Sequence, residues 1–303
     1  MIRPPYLKEG DNVMIISTAR KVSKFEMKPA ADTLQSWGLN VKFGKNLYKS
    51  SNQFSGTDEE RLADLQSALN SRSLQAVLFA RGGYGTSRII DQADWKKFQK
   101  NPKWLIGFSD LTVLHSHVNK NLRVETIHAP MSLNFPKLST GCLDVLKDAL
   151  FGQKLRYKSS RQQANNAALN RHGSAKGELV GGNLSILYSL NGTSSDIDTQ
   201  GKILFIEDID EYLYHIDRMM INLKRSGKLS GLTGLIVGGM TDMKDNEIPF
   251  GQTAEEIIAS AVAEYEYPVL FGFPSGHIAN NYPLILGREV SLKVGDSFDL
   301  NFL

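Results

Sequence analysis

Trp104-Leu105-Ile106-Gly107-Phe108-Ser109-Asp110-Leu111-Thr112 is the stretch on which the fold turns. An apolar run stops at a Gly-x-Ser, and an amphipathic helix pattern begins at once. This is the layout of a nucleophile held on a tight strand-to-helix turn. Such a turn lifts the Ser109 hydroxyl out of the sheet. It also aims the first helix N–H groups, which lack intrahelical partners, at an oxygen that becomes negative. On these grounds the chain is a hydrolase or acyl transferase on an α/β scaffold. Serine is also a favoured helix N-cap, so the assignment depends on partners elsewhere in the chain.

Working outward, the same alternation recurs. Residues 13–17 predict a buried strand, and residues 26–37 predict a helix closed by Gly38. A short strand follows at 40–43. Thr57-Asp58-Glu59-Glu60 matches a capping box ahead of Leu62, Leu65 and Leu69. Strands at 76–79 and 105–107, a helix at 110–119 and a strand at 124–127 complete the series. Alternation at this spacing predicts a parallel sheet covered by helices on both faces. Residues 151–175 are polar and rich in Gln, Asn and Ser, and predict a linker. Residues 1–150 therefore form an N-terminal α/β domain carrying the nucleophile. Strands at 203–206 and 232–237, helices at 211–225 and 254–263, and short strands at 269–271 and 284–286 predict a smaller C-terminal α/β domain over 176–303. The active site is expected between the two.

Composition bounds the function. The 303 residues leave room for two domains, and 41% hydrophobic with 22% charged residues is ordinary for a soluble globular chain. A net charge of +3 without a long basic stripe argues against a nucleic-acid partner. The single cysteine, Cys142, excludes an intrachain disulfide and a multi-cysteine metal site. It lies in a helical pattern with Leu143, Val145, Leu146 and Leu150, and reads as packing. Met1-Ile2-Arg3-Pro4-Pro5 lacks the apolar stretch of a secretory signal. No apolar run approaches the ~20 residues that span a bilayer. A cytoplasmic location is expected.

A serine hydroxyl needs a base and an orienter to attack at neutral pH. His115 and His117 lie two residues apart on one helix and point apart. His172 falls in the polar linker, and His215 lies in a helix with Ile216, Met219 and Met220. His128 ends a strand in Ile127-His128-Ala129-Pro130. His277 sits in Gly272-Phe273-Pro274-Ser275-Gly276-His277, a Gly/Pro loop of the kind that presents catalytic groups. His277 is the first choice for the base, and His128 the second. Residues 203–206 run straight into Glu207, a strand-end carboxylate able to accept the imidazole N–H. The alternative for Glu207, and the favoured reading of Asp208, Asp210 and Glu211, is attraction to the positive end of the next helix.

The N–H of Asp110 supplies one oxyanion donor. Ala80-Arg81-Gly82-Gly83-Tyr84-Gly85 offers the second through Gly83, with Gly82 close behind. The same loop could be a plain turn or an anion cradle, although it lacks the Lys-Ser/Thr ending of a P-loop. Arg81, Arg88, Arg218 and Arg288 are the candidates to pair a substrate carboxylate. No metal or organic cofactor is expected.

These segments, with Gly107-Phe108-Ser109-Asp110-Leu111-Thr112, Gly181-Gly182-Asn183-Leu184, Leu204-Phe205-Ile206-Glu207-Asp208 and Gly276-His277, occur in a familiar order. The chain resembles the serine LD-carboxypeptidases of muropeptide recycling, whose relatives include the microcin C immunity peptidases. The resemblance implies a Ser109–Glu207–His277 triad and an oxyanion hole from the N–H groups of Asp110 and Gly83. It also implies a homodimer and release of terminal D-alanine from a cell-wall tetrapeptide; Arg81, Gly82 and His128 are expected to bind the substrate. One departure is Ala129, where glycine is expected after the histidine. The alternatives are an immunity-type peptidase acting on a peptidyl-nucleotide antibiotic, and a non-catalytic protein that binds an anion at Gly82–Gly85.

Overall fold

A computed structural model of the chain describes residues 1–159 and 167–303. The first half runs β1 (Asn12–Ile16), α1 (Lys24–Ser36), β2 (Asn40–Phe43), α2 (Asp58–Asn70), β3 (Leu74–Phe79), α3 (Lys96–Lys100), β4 (Trp104–Gly107), α4 (Thr112–Leu122), β5 (Thr126–His128) and α5 (Thr140–Leu150). The second runs β6 (Arg156–Lys158), β7 (Gly173–Asn183), α6 (Leu184–Leu190), β8 (Ile203–Ile209), α7 (Leu213–Arg225), β9 (Gly234–Thr241), α8 (Ala254–Ala261), β10 (Val269–Leu270), β11 (Leu284–Leu286), β12 (Glu289–Val294) and β13 (Phe298–Phe302).

Local chemistry accounts for most of these elements. Thr57 and Glu60 cap α2 reciprocally, and Asp58, Glu59 and Glu60 place negative charge at its positive end. Ser23 and Glu26 do the same for α1, which therefore starts earlier than its apolar pattern suggests. Along α7, Ile216, Met219, Met220 and Leu223 recur at helical spacing and are buried.

The first sheet has the order β11-β5-β4-β3-β1-β2. Strands β1 to β5 are parallel, as the alternation predicts. Strand β11 joins antiparallel to β5, with Leu284 opposite His128. Residues 284–286 thus complete the first sheet, not the second. The second sheet has the order β10-β9-β8-β7-β12-β13-β6. Its β7 to β10 are parallel, and β12, β13 and β6 antiparallel. The expected linker over 151–175 falls partly on residues 160–166, outside the described residues. Its flanks contribute β6 and the start of β7. One apolar cluster takes in Ile15, Leu78 and Ile106 of the first sheet and Leu179, Phe205 and Ile236 of the second.

Candidate active site

Strand β4 ends at Gly107, and Ser109 opens a single 3-10 turn, Ser109–Leu111, before α4 begins at Thr112. The helix expected from residue 110 is thus delayed by one tight turn. Ser109 has φ 64°, in the left-handed region that a side-chain-bearing residue enters at a cost. That strain is the signature of a strand-to-helix elbow. Close approach of the neighbouring loop needs a bare backbone. A Cβ on Gly82 would stand 3.2 Å from Ser109 Cβ and 3.3 Å from its Oγ.

Glu207 lies on β8, where the register with β9 slips between Ile206 and Asp208. Such an irregularity re-aims a side chain. The Glu207 side chain is fully buried, and its Oε2 accepts from His277 Nδ1 at 2.7 Å and from the His277 backbone N–H at 3.1 Å. His277 Nε2 faces Ser109 Oγ at 3.1 Å. With Nδ1–H donated to a carboxylate, the Nε2 lone pair is left to accept the serine proton. Gly276 has φ 111°, and Asn281 Oδ1 accepts its N–H at 2.9 Å, which fixes the loop. Burial of the His277 ring opposes its charge. Attraction by Glu207, their hydrogen bond and the charge of Asp208 together outweigh burial, so its pKa lies above the ordinary 6.5.

Asp110 follows Ser109, and its buried side chain accepts from the Thr86 backbone N–H at 2.9 Å. It thereby ties the serine turn to the loop holding Gly82 and Gly83. Burial raises the Asp110 pKa. Asp208, beside Glu207, accepts from Asn183 Nδ2 and the Ser185 N–H, each at 2.8 Å. Burial first, and then repulsion by Glu207, push its pKa up to about 7.

A cavity of about 540 Å³ opens over this row, with Arg20, Arg81, Gly83, Ser109, Asp208 and His277 in its wall. Gly82 and Asp110 also reach it. His128 is placed elsewhere. It is fully buried, edge-on to Phe108 and Phe205 at ring distances of 5.7 and 5.0 Å, and outside the cavity wall. Neither ring nitrogen has a partner among the described residues, and burial holds its pKa well below 6.5. From sequence His128 is expected among the substrate-binding residues; the structure sets it behind Phe108, outside the cavity wall and without a hydrogen bond to Ser109. His115 Nε2 donates to Gly107 O at 2.8 Å, and burial lowers its pKa to about 4.

Of the four arginines singled out from sequence, Arg81 alone lines the cavity. Arg88 pairs with Asp58, Arg288 with Glu125, and Arg218 lies over the Tyr214 ring. Arg20, Asn183, Ser185 and Asp242 are wall residues that sequence reasoning missed. For Asn183 the Gly181-Gly182-Asn183 run was an available signal; Arg20 had none beyond its place after β1. Among the described residues no group of three His, Cys, Asp or Glu side chains is arranged to hold a metal ion. No helix among them is long and apolar enough to cross a membrane.

The family model described as LD-carboxypeptidase N-terminal domain matches residues 13–129, and the one described as LD-carboxypeptidase C-terminal domain matches residues 176–292. The chain belongs to the LD-carboxypeptidase family. It is 36% identical over 300 residues to the probable murein peptide carboxypeptidase of Bacillus subtilis, covering 97% of this chain and 92% of that one. The crystal structure of muramoyltetrapeptide carboxypeptidase from Oxalobacter formigenes superposes with a TM-score of 0.86 at 26% identity, over 96% of this chain and 98% of the other. MccF in complex with glutamyl sulfamoyl guanosine shares the fold, with a TM-score of 0.86 at 20% identity over 98% and 97% of the two chains.

Proposed function

We propose that this LD-carboxypeptidase family member is a serine peptidase that releases terminal D-alanine from murein tetrapeptides by hydrolysing an LD bond. The observation that carries this is the row Ser109 Oγ, His277 Nε2 and Nδ1, Glu207 Oε2, linked at 3.1 and 2.7 Å and open to the cavity. The substrate class is supported by the names of the B. subtilis and O. formigenes relatives.

In this mechanism Ser109 Oγ attacks the scissile carbonyl carbon while His277 Nε2 takes its proton. Glu207 holds the ring in the required tautomer and stabilises the imidazolium. The N–H groups of Asp110 and Gly83 receive the oxyanion. As the tetrahedral species collapses, His277 returns the proton to the departing D-alanine nitrogen and Ser109 remains acylated. Water, deprotonated by His277, then attacks the acyl carbon; the bond to Ser109 Oγ breaks, His277 returns the proton to Oγ, and the shortened peptide is released. The carboxylate, imidazole and backbone donors supply the chemistry without a metal. Gly82 and Arg81 flank the substrate, while His128 packs beneath the site. The two-domain division, with Ser109 before the linker and Glu207 and His277 after it, a cytoplasmic location and a homodimer belong to the same proposal.

The test is mass spectrometry of a murein tetrapeptide incubated with the protein. Loss of one D-alanine is expected, undiminished by chelator and abolished in Ser109→Ala. Turnover that requires added metal, or that survives in folded Ser109→Ala, would defeat the serine mechanism.

A further inference from the structure

A carboxypeptidase must recognise a free chain end, and the row of catalytic groups described above does not do so. In the substrate, the terminal carboxylate carbon is two bonds from the scissile nitrogen. A cation that reads it must therefore stand beside the nucleophile and the oxyanion donors.

The first sheet has one place built for this. Strand β1 leads to β2 on one side and β3 leads to β4 on the other, so the loops leaving β1 and β3 part at their carboxyl ends. Such a topological switch point is where open α/β sheets take ligands. Both loops are fastened there. The buried Arg61 side chain donates to the carbonyls of Thr18 and Gly85. The hydroxyls of Thr18 and Thr86 share a hydrogen bond of 2.7 Å, and the Arg20 N–H donates to Gly82 O at 3.4 Å.

Arg20 leaves this fastened loop and lies along the glycines. A Cβ on Gly83 would stand 2.6 Å from Arg20 Cδ and 2.7 Å from its Nε, while one on Gly82 would stand 3.2 Å from Ser109 Cβ. The arginine and the serine thus flank adjacent glycines and face one cavity. Among the described residues the Arg20 guanidinium has no hydrogen-bond or ion-pair partner. Most of the cavity's acids are engaged elsewhere: Asp208 with Asn183 and Ser185, Asp210 with Lys244, Glu211 with His215, and Asp110 with the Thr86 N–H, while Asp242 also lines the wall. Arg81 is partly engaged as well, donating to Lys21 O at 3.4 Å.

We infer that Arg20 binds the free α-carboxylate of the departing residue and so makes the site an exopeptidase. A planar guanidinium fork matches a carboxylate in two parallel hydrogen bonds, and a preorganised backbone lowers the cost of aiming it. The inference rests on the peptidase reading and names the group that sets its specificity.

The experiment compares kcat/KM for two tetrapeptides, one ending in D-alanine and one in D-alaninamide, in wild type, Arg20→Gln and Arg81→Gln. Wild type is expected to prefer the free acid by about 10- to 100-fold, the range for a hydrogen-bonded charged partner. Arg20→Gln should lose that preference, mostly through a raised KM for the acid, with the amide little affected. Arg20→Lys should recover part of it. Wild type that cleaves both peptides equally, Arg20→Gln that keeps the preference, or Arg81→Gln that alone abolishes it would each overturn the assignment. Wild type that cleaves neither peptide would instead defeat the proposed function, and the inference with it.

Discussion

In the proposed mechanism His277 must be neutral to accept the serine proton, and its surroundings favour the charged form. Its pKa lies above 6.5 because Glu207 and Asp208 outweigh the effect of burial. The acid limb of kcat/KM should therefore sit above the ordinary histidine value, with activity lost as pH falls through it. Asp208→Asn removes a neighbour that is only partly charged near its own pKa of about 7, and should move that limb modestly to lower pH. A pH–rate profile that stays in place, or moves up, would show that Asp208 does not act on the base. The two candidate bases separate in the same way. His277→Ala should cost on the order of 10⁴ to 10⁶ in kcat. His128→Ala, which empties a buried space between Phe108 and Phe205, should chiefly lower the melting temperature. Turnover of both variants, with folding followed by circular dichroism, decides between them. At this scale the contact between Ser109, Glu207 and His277 was legible because each stands where a strand or a Gly/Pro loop ends. Arg20 and the burial of His128 were not, since a loop arginine and a strand-end histidine carry no local mark of what the fold sets beside them.

Three short devices aim the proposed catalytic groups: the left-handed turn at Ser109, the register slip at Glu207 and the positive φ at Gly276. The last can be tested alone. A Cβ on Gly276 would stand 2.7 Å from both Glu207 Cβ and Oε2, in a backbone region that already costs an L-residue roughly 1–2 kcal/mol. Gly276→Ala should therefore shift the His277–Glu207 pair. Displacements of about 1 Å at a reacting group cost on the order of 10² in rate. The expected result is a kcat loss of about that size with an unchanged far-UV spectrum. Near-wild-type turnover would mean that the loop yields freely. Apolar runs and capping boxes made most strands and helices legible. Strand β6 was not, because Arg156-Tyr157-Lys158 is polar and takes its conformation from pairing with β13 at the edge of the sheet. Helix α4 starts late for a similar reason, since periodicity does not distinguish a 3-10 turn from the first turn of an α-helix.

At the scale of the whole molecule, the alternation of strands and helices made two α/β units legible, but not the exchange between them. Residues 284–286 read only as a short apolar strand, and nothing local says which sheet it joins. In the structure β11 returns to pair with β5, placing Leu284 against His128 and burying Leu284, Ile285 and Leu286. Three such side chains contribute about 5–9 kcal/mol of burial, comparable with the whole stability of a typical domain. Without β11, the backbone of β5 is also left as a free edge that invites association. A fragment of residues 1–150 should therefore fail to fold as a stable monomer, although it holds all five parallel strands and Ser109. Co-expression with residues 151–303 should restore a soluble complex with both sheets and catalytic turnover. Gel filtration, near-UV circular dichroism and thermal unfolding of the fragment provide the measurement. A monomer with a fixed aromatic environment and a cooperative transition would show that β11 is dispensable. An aggregated or molten fragment rescued by its complement would show that the C-terminal half supplies the last strand of the sheet that presents the nucleophile, as well as the residues that face it.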